Sequence, residues 1–269
     1  MSDVSALAQH LDGLGRILLG YSGGVDSAVL AVVGRRALGP ERLLAVIGRS
    51  ASYPAAQYRA ALAVAQRFDV PLLELATGEL DDPRYRANPV NRCYYCKQEL
   101  WARLGALADE RGFDTIVDGT NADDLAEHRP GLRAAAERAV RSPLAELGWT
   151  KAMVREAARS LGIPVWNAPA SPCLASRIRY GLEVTRERLQ QVEASEAFLR
   201  YLGVTGDLRV RHHGRLARIE TTAEGREVVA AAWPAVRRAF RTFGFEEVEL
   251  DPQGYRRGAL LVELPVLPA

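Results

Sequence analysis

Short apolar runs alternate with longer stretches of helical spacing through the first two-thirds of the chain. RILLGY (16–21), RLLAVIG (42–48), PLLELA (71–76) and DTIVDGT (114–120) carry the Ile, Leu and Val of strands buried on both faces. Residues 4–14, AVLAVVGRRAL, 54–68, 97–112 and 150–162 place apolar side chains at helical spacing, the last ending at Gly162 and Pro164. This alternation predicts an α/β fold on a parallel sheet, which binds ligands beyond the carboxyl ends of its strands. SGGVDS and DGTNADD, after the first and fourth strands, would both lie at that edge.

After about residue 183 the pattern changes. TRERLQQVEASEAFLRYLG predicts a helix, and DLRVRHHG and RLARIE predict short strands that turn at Gly214. EGREVVAAAWPAVRRAFRTFG predicts a helix interrupted near Pro234, and FEEVELD a last strand. The expected organisation is a parallel-sheet domain over 1–182 and a smaller C-terminal α+β domain with an antiparallel sheet over 183–269.

The 269 residues are enough for one core and a smaller second one. Lysine occurs only at Lys97 and Lys151, so nearly all positive charge is arginine, balanced by acids to a net +2. A dispersed excess of this kind is not a nucleic-acid stripe, and neither nucleic acid nor membrane is expected as a partner. MSDVSALAQHLDGLGR lacks the apolar run of a signal peptide or span, so a cytoplasmic location is expected. In that reducing setting, close cysteines serve metals or catalysis more often than bridges.

SGGVDS follows a strand and opens a helix. Gly23 and Gly24 permit a tight turn that presents consecutive N–H groups to an anion. Ser22 and Ser27 add hydroxyls, and the helix N-terminus adds partial positive charge. The lysine of a Walker A loop is missing. Asp26 suits a magnesium ion or a helix cap better than bare phosphate. The stretch resembles the PP-loop of the ATP pyrophosphatase family, whose members adenylylate a carbonyl or carboxylate oxygen and displace AMP with nitrogen or sulfur. DGTNADD resembles that family's acidic loop, which makes Asp118, Gly119, Asp123 and Asp124 nucleotide or magnesium candidates. Asp118 serves equally as a strand-end cap.

Cys93 and Cys96 in NRCYYCKQEL, with Cys173 in ASPCLASRIRYG, leave open a metal site, a persulfide or redox pair, or buried thiols. His128, His212 and His213 lack finger-like spacing to the pair, and the adjacent two would point to opposite faces of a strand. NRCYYCK, RPGLRAAAERAVRSPL, ASPCLASRIRYG and LRVRHHGRLARIE together resemble, in order, the LarE-type sulfurtransferases of nickel-pincer nucleotide biosynthesis. The resemblance spans about residues 5–260. It implies ATP and Mg2+, a small-molecule nucleotide substrate, pyridinium-3,5-dicarboxylic acid mononucleotide, and a homo-oligomer such as a hexamer. Its three-cysteine members imply a 4Fe-4S cluster on Cys93, Cys96 and Cys173, and three thiolates leave one iron of a cubane open. It also implies Ser176, Arg177, Arg209 and Arg211 as substrate contacts, with Lys97 a weaker candidate. Arginine forks suit carboxylates and phosphate. The alternatives are a PP-loop tRNA thiolase, an ammonia-using ligase and a nucleotide-binding protein without activity.

Overall fold

The computed structural model describes residues 4–126, 130–169, 171–256, 258 and 260. They form two compact units, one of residues up to Glu79 with Asn91–Ser171, the other of Leu80–Val90 with the residues from Pro172 onward.

In the first unit, α1 (Val4–Asp12) precedes β1 (Ile17–Gly20), α2 (Val25–Leu38), β2 (Leu43–Arg49), α3 (Ala55–Arg67), β3 (Leu72–Ala76) and β4 (Thr115–Val117). The four strands lie parallel in the order β3-β2-β1-β4, with Ile17 beside both Leu43 and Thr115. The two-residue repeat of a strand explains why β1 and β2, buried on both faces, are apolar along most of their length. The edge strand β3, by contrast, carries Glu74 and buries no residue fully, contrary to the expectation for its run. Ile17 and Leu19 of β1, with Leu43, Ala45 and Ile47 of β2, join Leu7, Leu11 and Val29 in one core. Leu18 and Val46 face the other way, onto Trp101 and Leu104. Each such Leu, Ile or Val side chain contributes about 1.5–3 kcal/mol by leaving water.

The helix carrying Trp101 runs over Arg92–Arg111, beginning before the expected 97. Its first turn, RCYYC, has no apolar stripe to mark it, and Cys93 and Cys96 therefore lie inside the helix.

The second unit pairs β5 (Leu208–His213) with β6 (Leu216–Thr221) as an antiparallel hairpin, and β6 with β7 (Glu247–Leu250) in parallel. The expected antiparallel sheet is therefore mixed. Helices Ala223–Ala231 and Trp233–Thr242 lie between β6 and β7, and this crossover returns the chain in the same direction. Pro234 sits in the first turn of the second helix, where its missing N–H costs nothing. Leu199, Val210, Ile219, Phe240 and Phe245 form this unit's core.

The division falls at Ser171, not near 183, and Leu80–Val90 goes with the second unit. Asn88, fully buried, donates from Nδ2 to the carbonyls of Ile178 (3.2 Å), Arg179 (2.8 Å) and Leu182 (3.0 Å). Val184 N–H donates to the Arg86 carbonyl at 2.8 Å. The Asn88 bonds join irregular segments, which hydrophobic periodicity does not register. Among the described residues, no helix is long and apolar enough to cross a membrane.

Candidate active site

SGGVDS links β1 to α2. Gly23 has φ +69°, and a Cβ there would stand 2.5 Å from the Ala61 Cβ on α3, so only glycine fits. Gly24 is the N-cap of α2 and no side chain caps the helix. The first-turn N–H groups are thus left for an anion. Ser27 Oγ donates to the Gly24 carbonyl at 3.1 Å and stands 3.2 Å from Ser22 Oγ.

The acidic loop packs directly on this turn. A Cβ on Gly119 would lie 2.9 Å from Ser27 N and 3.2 Å from the Asp26 Cβ. Asp118 accepts from Thr120 N (3.0 Å), Thr120 Oγ1 (2.9 Å) and Ser142 Oγ (2.8 Å). With three donors on one carboxylate, this geometry serves the strand-end cap. Asn121 and Asp124 form a capping box on the short helix Ala122–Leu125. Asp123 accepts from the Lys151 backbone N–H at 2.8 Å.

Asp26 does not cap α2. Its carboxylate accepts from Asn121 Nδ2 at 3.0 Å and pairs with the Lys151 ammonium. Lys151 opens the Lys151–Ser160 helix, capped by Thr150, and so reaches both loops from a fixed base. Sequence reasoning missed Lys151 and Asn121. A signal for Lys151 existed, because it is one of only two lysines in a chain that draws nearly all its positive charge from arginine.

Cys93 and Cys96 stand three residues apart on the Arg92–Arg111 helix, on one face and at least partly exposed. Lys97 lies with its ammonium 4.8 Å from the Trp101 ring centroid. Cys173 is in the second unit, at the N-cap of the turn Leu174–Arg177. None of the three forms a disulfide. Among the described residues, no three His, Cys, Asp or Glu side chains gather as they would around a metal ion. His128 lies outside the described residues. His212 is buried, with Nε2 2.8 Å from Gln191 Oε1 and Nδ1 accepting from Gly214 N–H. Burial, aided by Arg188, pushes its pKa down to about 4.

The second unit gathers Ser176, Arg177, Arg209 and Arg211. Arg177 forms two bonds to Glu196 (3.0 and 3.2 Å) and also donates to the Cys173 carbonyl at 3.1 Å. Ser176 Oγ donates to the same carbonyl at 2.7 Å. Arg211 pairs with Glu220 at 2.8 Å and donates to the Ser176 carbonyl at 3.1 Å. Arg209 donates to the Leu208 carbonyl and lies 5.1 Å from the Tyr255 ring centroid. Burial, and then the charge of Arg177, lower its pKa, so positive charge is costly here and an anion would relieve it.

A family model described as NAD synthase matches residues 6–83, the stretch that holds SGGVDS. The chain is 42% identical to the uncharacterized protein slr1717 of Synechocystis over 96% of its length and 97% of that protein's. It is 31% identical to the pyridinium-3,5-bisthiocarboxylic acid mononucleotide synthase of Lactiplantibacillus plantarum, over 95% and 92%. It is 30% identical to the uncharacterized protein MJ0830 of Methanocaldococcus jannaschii, over 90% and 91%. With its phosphate loop and acidic loop in contact and this likeness along nearly its whole length, the chain belongs to the LarE-type family of PP-loop, ATP-using sulfurtransferases.

Proposed function

We propose that the protein activates the carboxylates of pyridinium-3,5-dicarboxylic acid mononucleotide with ATP and replaces one oxygen of each with sulfur, in nickel-pincer cofactor assembly. A substrate carboxylate oxygen attacks the α-phosphorus of ATP, and pyrophosphate leaves. A sulfur nucleophile then adds to the acyl carbon, and AMP leaves with the original carboxylate oxygen. Activation is needed because an oxide leaves poorly and an adenylate leaves well.

The observation that carries this reading is the contact between the uncapped α2 turn and the Gly119 loop, with Asp26 and Lys151 between them. Gly23, Gly24, Ser22 and Ser27 would hold the triphosphate. Asp26 offers magnesium its carboxylate, and Lys151 offers a cation to phosphate oxygens in place of the missing Walker lysine. Asp118, Gly119 and Asp124 would shape the nucleotide side. Arg177, Arg209, Arg211 and Ser176 would meet the phosphate and carboxylates of the substrate. The gathering of Arg177, Arg211 and the Ser176 hydroxyl around the Cys173 and Ser176 carbonyls supports this, as does the burial that disfavours the Arg209 cation.

Thiols are the donors a 4Fe-4S cluster takes, and Cys93, Cys96 and Cys173 would hold one. The three are unbridged thiols, two of them one helical turn apart on an accessible face. When bound, such a cluster would supply sulfur. Homo-oligomeric assembly and a reducing, cytoplasmic setting belong to the same proposal.

ATP–pyrophosphate exchange tests it. Exchange is expected only when the dicarboxylate mononucleotide is present; exchange that responds to tRNA, or to an acid paired with ammonia, would replace the substrate. For the cluster, anaerobic reconstitution should load about four irons. Unchanged iron content and sulfur transfer in Cys173→Ala would remove that cysteine from the site.

A further inference from the structure

We infer that Tyr53 and Gln57 are positioning residues that set the orientation of the Ser22–Gly23 peptide and so aim the Gly23 N–H at the polyphosphate of ATP. The inference rests on the ATP site proposed above. Tyr53 Oη donates to the Ser22 carbonyl at 2.9 Å, and Gln57 Nε2 donates to the same oxygen at 2.6 Å. A trans peptide is planar, with its C=O and N–H pointing in opposite directions. Two donors that hold the Ser22 oxygen toward α3 therefore turn the Gly23 N–H away from α3. Glycine at φ +69° lets the chain make this turn, and successive N–H groups then form an anion-binding concavity. Without the donors, the same glycine freedom would let the peptide flip and present a carbonyl to the phosphates.

The clamp is itself braced. Tyr53 sits in a turn where Ser52 N–H donates to Ser50 Oγ (3.2 Å) and Tyr53 N–H donates to the Ser50 carbonyl (3.2 Å). Ser52 Oγ donates to Glu79 Oε1 at 2.9 Å, and both residues are buried. Burial pushes the Tyr53 phenol far above its ordinary range, so it remains a donor at every working pH. Gln57 Oε1, by contrast, is buried and accepts from nothing among the described residues. An unmet buried acceptor costs stability. Gln57 is thus poorly explained by folding alone and well explained by the bond its other end makes.

The test measures equilibrium binding of magnesium pyrophosphate and, separately, of adenosine to the full chain, with the ligand-free melting temperature alongside. Tyr53→Phe and Gln57→Met should each weaken pyrophosphate by about three- to tenfold, the value of one neutral hydrogen bond, and leave adenosine unchanged. Gln57→Glu keeps the shape but cannot donate, and should weaken pyrophosphate more than Gln57→Met. Gln57→Met also removes the unmet acceptor, so its ligand-free melting temperature should not fall. Parental pyrophosphate affinity in both Tyr53→Phe and Gln57→Met overturns the clamp. Equal losses for pyrophosphate and adenosine also overturn it, since that is general damage. A wild-type protein that binds neither ligand overturns the ATP site and the clamp with it.

Discussion

Gly119→Ala is the smallest change that forces the two loops apart. The new methyl would stand 2.9 Å from Ser27 N, 3.2 Å from the Asp26 Cβ and 3.3 Å from the Asp26 carbonyl carbon. Comfortable carbon contacts lie at about 3.5–4.0 Å, so relief needs a shift of roughly 0.5–1 Å. The obstructing atoms belong to the first turn of α2, which Ala28, Val29, Leu30 and Ala31 anchor in the core at 0–1% exposure. They cannot rotate aside as a flexible side chain would. Gly119 is outside the left-handed region, so backbone conformation adds no further strain. Overpacking of this kind costs about 1–3 kcal/mol, and a displacement near 1 Å at a reacting site costs on the order of a hundredfold in rate. The variant should therefore melt a few degrees lower and lose about two orders of magnitude in ATP–pyrophosphate exchange. Gly105→Ala, with nothing within 4 Å of its new methyl apart from its own helix backbone, is the control. It should keep full exchange and gain up to about 1 kcal/mol, as alanine favours a helix interior. Parental exchange and melting in Gly119→Ala would refute the argument that this contact builds the site.

Glu220→Gln should destabilise the second unit by about 3–5 kcal/mol in thermal unfolding, because it leaves Arg211 buried beside a neutral partner. A loss under about 1 kcal/mol would mean that water reaches the pair. His212 should remain neutral on the Nε2–H tautomer until pH falls to about 4, visible in its ring NMR shifts. Its folded pKa lies below the ordinary 6.5, so its contribution is complete above 6.5 and is lost as pH falls through 4; titration near 6.5 would contradict the burial. Glu146, lowered to about 2 first by Arg141 and then by His10, stabilises fully above its ordinary 4.5 and loses that contribution as pH falls to 2. Glu146→Gln should flatten the acid limb of the stability curve between those values, and an unchanged limb would mean the pairing persists in the unfolded chain.

The parallel sheet was legible because both faces of β1 and β2 are buried, which makes their apolar runs unbroken. The phosphate loop was legible because its chemistry sits in six consecutive residues. Lys151 was visible as a rare lysine, but its partner was hidden, because the fold carries it 125 positions back to Asp26. The division at Ser171 was hidden for a related reason, since Asn88 binds three carbonyls in a segment about ninety residues away. The parallel pairing of β7 depends on the direction in which two helices return the chain, and strand periodicity carries no direction. The Arg177–Glu196 and Arg211–Glu220 pairs show the converse limit. The sequence marked the arginines, but not the carboxylates that already hold two of them.

The most direct test of the account is mass analysis of the dicarboxylate mononucleotide after anaerobic incubation with Mg·ATP and sulfur-loaded protein. Thiocarboxylate product is expected, with one AMP and one pyrophosphate released for each oxygen replaced. AMP formed without sulfur in the product, or sulfur transferred without ATP cleavage, would contradict it.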